Sequence, residues 1–201
     1  MNDNTKNSNK LTGKDLMNIG IFTALFLVVG IIVACVLGVF PMGFVLISIV
    51  DAIILGIPMM LYFTRIKKFG MILITVVVNG IIMIVTGMGL NALRYGIFIG
   101  LIAELVMKWG NYNSAIKAII AYAVFSLIAV TNYIPWLYAS EEWLAGQSAA
   151  YGQDFTDGIT GSFSMSWFFP AIVIATFVAG IIGGFMGKKV LKKHFVKSGL
   201  L

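Results

Sequence analysis

Apolar residues fill this chain in blocks too long for the helices of a soluble domain, and polar residues come as short interruptions between them. The block from Met17 to Phe63 would measure roughly 70 Å as one helix at about 1.5 Å per residue, against a bilayer core of about 30 Å. It has to break, and Gly38-Val-Phe-Pro41-Met-Gly43 offers the place. Thr12-Gly-Lys-Asp15 fits a capping box ahead of a first helix at Leu16 to Val39. A second helix runs to Phe63, with Pro58 as a kink. The block from Met71 to Met107 is again too long for one crossing, and Thr86-Gly-Met-Gly-Leu-Asn91 divides it into helices 3 and 4. Helix 5 covers Ala115 to Tyr138, and helix 6 covers Met165 to Met186. The pattern predicts an all-α integral membrane protein, a single membrane domain of six transmembrane helices.

Residues 139–165, between helices 5 and 6, break the pattern. They hold Glu141, Glu142, Asp154 and Asp157 with no Lys or Arg, whereas the other connections are short or basic. The stretch is predicted as a long polar loop. Loops of this length tend to be functional or disordered, and Trp143, Tyr151 and Phe155 are residues a plain spacer would not need. We expect it to act as a lid.

Composition agrees with a bilayer. At 60% apolar and 11% charged, the sequence cannot bury its hydrophobic surface in one soluble globule. The net charge of +6 sits in short tracts beside apolar segments, which suits anionic lipid headgroups and not nucleic acid. Six spans place both termini on one side, and all but one of the 14 basic residues fall there: in the polar tail 1–11 and the segment entering helix 1, in two basic turns, and in the basic tail 187–201. Because Lys and Arg collect in cytoplasmic loops, both termini are expected in the cytoplasm and the lid outside, in a multi-pass plasma-membrane protein. The apolar run after the polar start is too long for a signal-peptide core.

The exception is Arg94, about one turn inside the outer end of helix 4. A guanidinium in a span is costly unless paired or functional. Its planar fork suits a carboxylate or phosphate, so Arg94 is a candidate ligand contact, and an internal ion pair with Asp51 of helix 2 is the plain alternative. Asn91, Tyr95, Asn132, Tyr133, Trp136, Tyr138, Trp143, Trp167 and Phe168 fall at outer helix ends or in the lid. An interfacial aromatic belt explains such positions without any ligand, while a stacking pocket for a flat small molecule gives them a function. Glu104, with Lys108 four residues on, reads as a structural ion pair.

Gly20-x-x-x-Ala24, Gly30-x-x-x-Ala34 and Ala34-x-x-x-Gly38 give helix 1 a ridge of small residues, fit for internal packing or for another membrane subunit. Cys35 and His194 are the only cysteine and histidine, so no metal centre or cofactor is expected. There is no Walker A sequence, nucleophile elbow or HExxH. No enzymatic activity is expected, and any ATP would be hydrolysed by a partner.

The segment Leu11-Thr-Gly-Lys-Asp-Leu-Met-Asn-Ile-Gly-Ile-Phe-Thr-Ala24, with the six spans and the large outer connection, resembles the substrate-binding S components of energy-coupling-factor transporters. With Arg65-Ile-Lys-Lys-Phe-Gly-Met71 and Ala121-Tyr-Ala-Val-Phe-Ser-Leu127, it is similar to the Trep/Strep family of such proteins. The resemblance implies a receptor that captures a vitamin-like micronutrient outside and docks on a transmembrane coupling protein with two ATPase subunits. It further implies docking through an Ala-x-x-x-Ala element on helix 1, matched in size by Gly20 and Ala24, and a ligand held among helices 4 to 6. An iron porphyrin stays open as the substrate. Two other classes compete: a stand-alone secondary transporter, for which Asp51 is the candidate coupling carboxylate, and an intramembrane enzyme, for which no acid, base, metal or nucleophile set assembles.

Overall fold

The computed structural model describes residues 10–66 and 68–197, with side chains as far as Lys192. Residues 1–9, Lys67 and the side chains of Lys193, His194 and Lys197 lie outside the described residues, so most of the expected N-terminal tail and part of the C-terminal one are not placed.

Among the described residues every regular element is helical. Helix α1, Gly13–Leu37, starts on the expected capping box: Asp15 N–H donates to the Thr12 hydroxyl at 3.4 Å, and Thr12 N–H donates to the Asp15 carboxylate at 2.8 Å. Pro41 then opens α2, Pro41–Ile54, at the position where a missing N–H costs nothing. Helix α3, Gly56–Arg65, meets α2 at a bend of 48°. The bend lies at Leu55, one turn before Pro58, because a proline clashes with, and cannot donate to, the carbonyl four residues back.

Helix α4, Met71–Val85, and α5, Asn91–Trp109, lie against each other through small residues: a Cβ on Gly80 would meet Leu93, and one on Gly100 would meet Val76 at 2.8 Å. Helix α6, Ala115–Ser126, does not run through to Tyr138 as expected. Pro135 denies the Thr131 carbonyl its usual donor, and that oxygen accepts from Ile134 N–H in a tighter turn. The result is a 3-10 segment, Ala129–Tyr133, followed by the short α7, Ile134–Leu137.

The expected loop 139–165 is instead two helices, α8 at Glu141–Tyr151 and α9 at Gln153–Phe163, parted by Gly152 at φ 92°. Phe155, Ile159 and Phe163 recur every four residues and are buried, so α9 is an amphipathic helix laid on α2 and α7. Its glycines and threonines mask that periodicity in the sequence, since each is a weak helix former. Glu141 and Glu142 stand in the first turn of α8, where they complement the helix dipole. The last helix, α10, is Phe168–Lys197, longer at its C-terminal end than expected.

Gly13–Leu37, Ala115–Leu137 and Phe168–Lys192 are long and apolar enough to cross a membrane, and the bent pair α2 and α3 makes a fourth such segment. Helix α4, at 15 residues, is only about 22 Å long, and α5 carries Arg94, Glu104 and Lys108. Of the six expected spans, three are continuous helical segments of membrane length, a fourth corresponds to the bent pair α2 and α3, and the remaining two correspond to the mutually packed pair α4 and α5, which do not meet that measure.

The two ends of this bundle differ. At one end the Lys68 ammonium pairs with Asp15 at 2.8 Å, Lys108 lies over the Phe69 ring, and Lys117 sits 3.0 Å from the centre of the Trp109 ring. Glu104, fully buried, accepts from Ile72 N–H at 2.9 Å and from the Tyr112 hydroxyl at 3.4 Å. It caps α4 and is not the partner expected for Lys108. At the other end, α8, α9 and the 3-10 segment enclose a cavity.

Candidate functional site

The cavity has a volume of about 660 Å³, within the range that holds small ligands. Its walls come from α1 (Phe26 to Ala34), α2 (Phe44 to Asp51), the end of α4, the Thr86 to Gly89 turn and the 3-10 segment. Trp143, Gln147, Ala150 and Tyr151 of α8 and Phe155 of α9 roof it. The roof is lightly held, since no residue of α8 is fully buried.

Aromatic rings make up one side. Trp136 and Trp143 meet edge to face at 4.9 Å, Phe44 packs edge to face on both Trp136 and Phe155, and Tyr151 stacks on Phe155 at 5.3 Å. Tyr133 fixes this wall to α2. Its hydroxyl accepts from Ser48 N–H at 3.2 Å and is shared between the carbonyls of Phe44 and Val45, at 3.0 and 3.1 Å.

The polar groups are few. Among the described residues four buried side-chain polar atoms have no hydrogen-bond partner: Thr23 Oγ1 and the Oδ1 atoms of Asp51, Asn79 and Asn132. The last three residues all line this cavity. An unpaired buried oxygen costs roughly 1–3 kcal/mol, and the three residues that carry these oxygens are gathered on one hollow, with room beside them for water or a bound molecule. No three of His, Cys, Asp and Glu come together among the described residues.

Of the residues expected at the site, Asp51, Asn91, Asn132, Tyr133, Trp136 and Trp143 line the cavity. Tyr95 joins Asn91, Pro135 and Trp143 around a shallower hollow of about 330 Å³ beside it. Arg94 and Trp167 do not line it. Arg94 is exposed on α5, and no ion pair joins it to Asp51 among the described residues. The reason is helical phase: Ala92 and Gly96 are buried on the contact face, and Arg94, two residues from each, lies on the opposite face. Gly20 and Ala24 are exposed on α1 and do not line the cavity, and nothing lies within 4 Å of where a Cβ on Gly20 would be.

Asn79 and Gln147 are not singled out by the sequence pattern, and Gly30 enters there only through the small-residue ridge of helix 1. Asn79 carried a signal, being an amide inside an uninterrupted apolar run, where polar groups face a cavity or a partner. Gln147 carried none.

Residues 13–197 match a family model described as a hypothetical bacterial integral membrane protein, Trep_Strep. The chain belongs to the Trep_Strep family. Its fold is therefore that of a multi-pass bacterial membrane protein, as the apolar helices indicate independently. No curated protein and no solved structure matches this Trep_Strep chain.

Proposed function

We propose that this Trep_Strep protein is the substrate-specificity (S) subunit of an energy-coupling-factor importer. It captures a small, vitamin-like molecule at the outer face and delivers it through a shared module of one transmembrane coupling protein and two ATPase subunits. The observation that carries the reading is the roofed cavity with three unpartnered oxygens at the end away from the basic cluster. Given the tendency of Lys and Arg to stay cytoplasmic, that cavity opens to the outside, both termini lie in the cytoplasm, and the six helical segments each cross the bilayer. The exposed Gly20 and Ala24 give α1 a close-approach surface for the coupling protein. The chain itself is not an enzyme in this reading, and ATP is hydrolysed by its partners.

A second reading, a stand-alone transporter, is favoured only by Asp51, a carboxylate inside the membrane domain with one oxygen unpartnered. Co-reconstitution in proteoliposomes separates the two. Uptake that requires the coupling protein, both ATPases and ATP supports the S-subunit reading. Uptake by the chain alone, driven by an ion gradient, overturns it.

A further inference from the structure

The charge balance inside the cavity goes further than its shape. Asp51 is the only ionisable acid or base on its walls: no Lys, Arg, His or second carboxylate lines it. The unpartnered Oδ1 of Asp51 is an acceptor, and Asn79 and Asn132 each bring an amide with an unpartnered oxygen and an NH2 group. An anionic ligand would meet a carboxylate with no cation on the walls to offset it. An ammonium or protonated heterocycle suits Asp51, because its N–H groups donate and its charge neutralises the carboxylate. The rings of Trp136, Trp143, Tyr151 and Phe155 add faces that attract a cation and stack on a flat ring.

We propose that the cavity selects organic cations: flat, donor-bearing molecules whose positive nitrogen lies against Asp51, with further donors on Asn79 and Asn132. This deepens the capture reading and rests on it.

The test uses three probes matched in shape and different in charge: tryptamine as the cation, tryptophol as the neutral form and indole-3-acetate as the anion. Each is added at millimolar concentration to the full chain in detergent, and the unfolding temperature is read. Tryptamine is expected to raise it, with no shift from the other two. Asp51→Asn, which keeps the shape and removes the charge, is expected to weaken tryptamine about tenfold or more, and Asp157→Asn on the exposed face of α9 is expected to leave it unchanged. Equal stabilisation by tryptophol or indole-3-acetate overturns the charge selectivity and leaves capture standing. Stabilisation by none of the three overturns this proposal, and the proteoliposome assay then judges the capture reading separately. The wild-type comparison among probes stands even where Asp51→Asn fails to fold.

Discussion

The carboxylate of Asp51 faces the bare backbone of Gly30 across the cavity: a Cβ on Gly30 would lie 3.6 Å from Asp51 Oδ2. That is ordinary van der Waals contact, so a methyl fits and a larger side chain intrudes on the space in front of the carboxylate. Gly30→Ala is expected to bind ligand nearly as the parent does. Gly30→Leu is expected to block binding while leaving the unfolding temperature of the empty protein close to that of the parent. Titration of both variants with a ligand of the parent protein checks this, and full affinity in Gly30→Leu would remove the α1 wall from the site.

The second prediction concerns the bend between α2 and α3. A Cβ on Gly56 would land on the carbonyl of Gly183, and one on Gly183 would land on the carbonyl of Ala52, so the backbones of the bend and of α10 touch directly. The Tyr122 hydroxyl donates to the same Ala52 carbonyl at 2.7 Å, holding the bend from the α6 side. Gly183→Val is expected to force the helices apart and lower stability by about 1–3 kcal/mol or prevent folding. Yield of monodisperse protein and its thermal midpoint measure this, and a parent-like midpoint would mean the contact is slack.

These two regions show what the sequence could and could not convey. The all-helical class, the capping box at Thr12, the Pro58 kink and the cavity-lining Asn132 and Tyr133 follow from local rules, because each depends on residues within one or two turns. The Gly183-x-x-x-Gly187 spacing was present on the last helix, but its partner Gly56 is distant in sequence and only packing reveals it. The α9 helix was missed because burial of Phe155, Ile159 and Phe163 against α2 stabilises a segment whose glycines argue for a loop. Asp51 was legible as a polar residue in a span, yet whether Arg94 reached it depended on helix phase across three elements.

Arg94 gives the third prediction. It is exposed on α5 and lines neither hollow, so Arg94→Ala is expected to leave ligand affinity within about twofold of the parent. A loss of tenfold or more on titration would show that Arg94 reaches the ligand through a rearrangement of the roof.

Glu104 gives the fourth. Its carboxylate, completely buried, accepts from Ile72 N–H and the Tyr112 hydroxyl, joining the start of α4 to the end of α5. Glu104→Ala leaves the Ile72 N–H without that acceptor in a buried site and is expected to cost about 1–3 kcal/mol of stability, with ligand affinity unchanged in the protein that folds. Glu104→Gln retains an acceptor oxygen and is expected to lose less. A larger effect on binding than on the thermal midpoint would move Glu104 from a structural role to a functional one.

The last prediction separates docking from capture. Of α1, only Ile19, Phe22, Thr23 and Val33 are buried, so its Gly20 and Ala24 do not serve packing within the chain. Small residues exposed on a membrane helix permit a second helix to approach closely, and a leucine at either position holds that helix away. Gly20→Leu and Ala24→Leu are therefore expected to leave the thermal midpoint and ligand affinity near parent values. Stable co-purification with the coupling protein should fall, and ATP-dependent uptake with it. The cavity residues behave in the opposite way, since Gly30→Leu is expected to abolish binding while keeping the assembly. Measuring both readouts on both sets of variants forms a two-by-two test. Loss of ligand binding in Ala24→Leu would merge the two surfaces, and full uptake by both leucine variants would place the docking face on another helix.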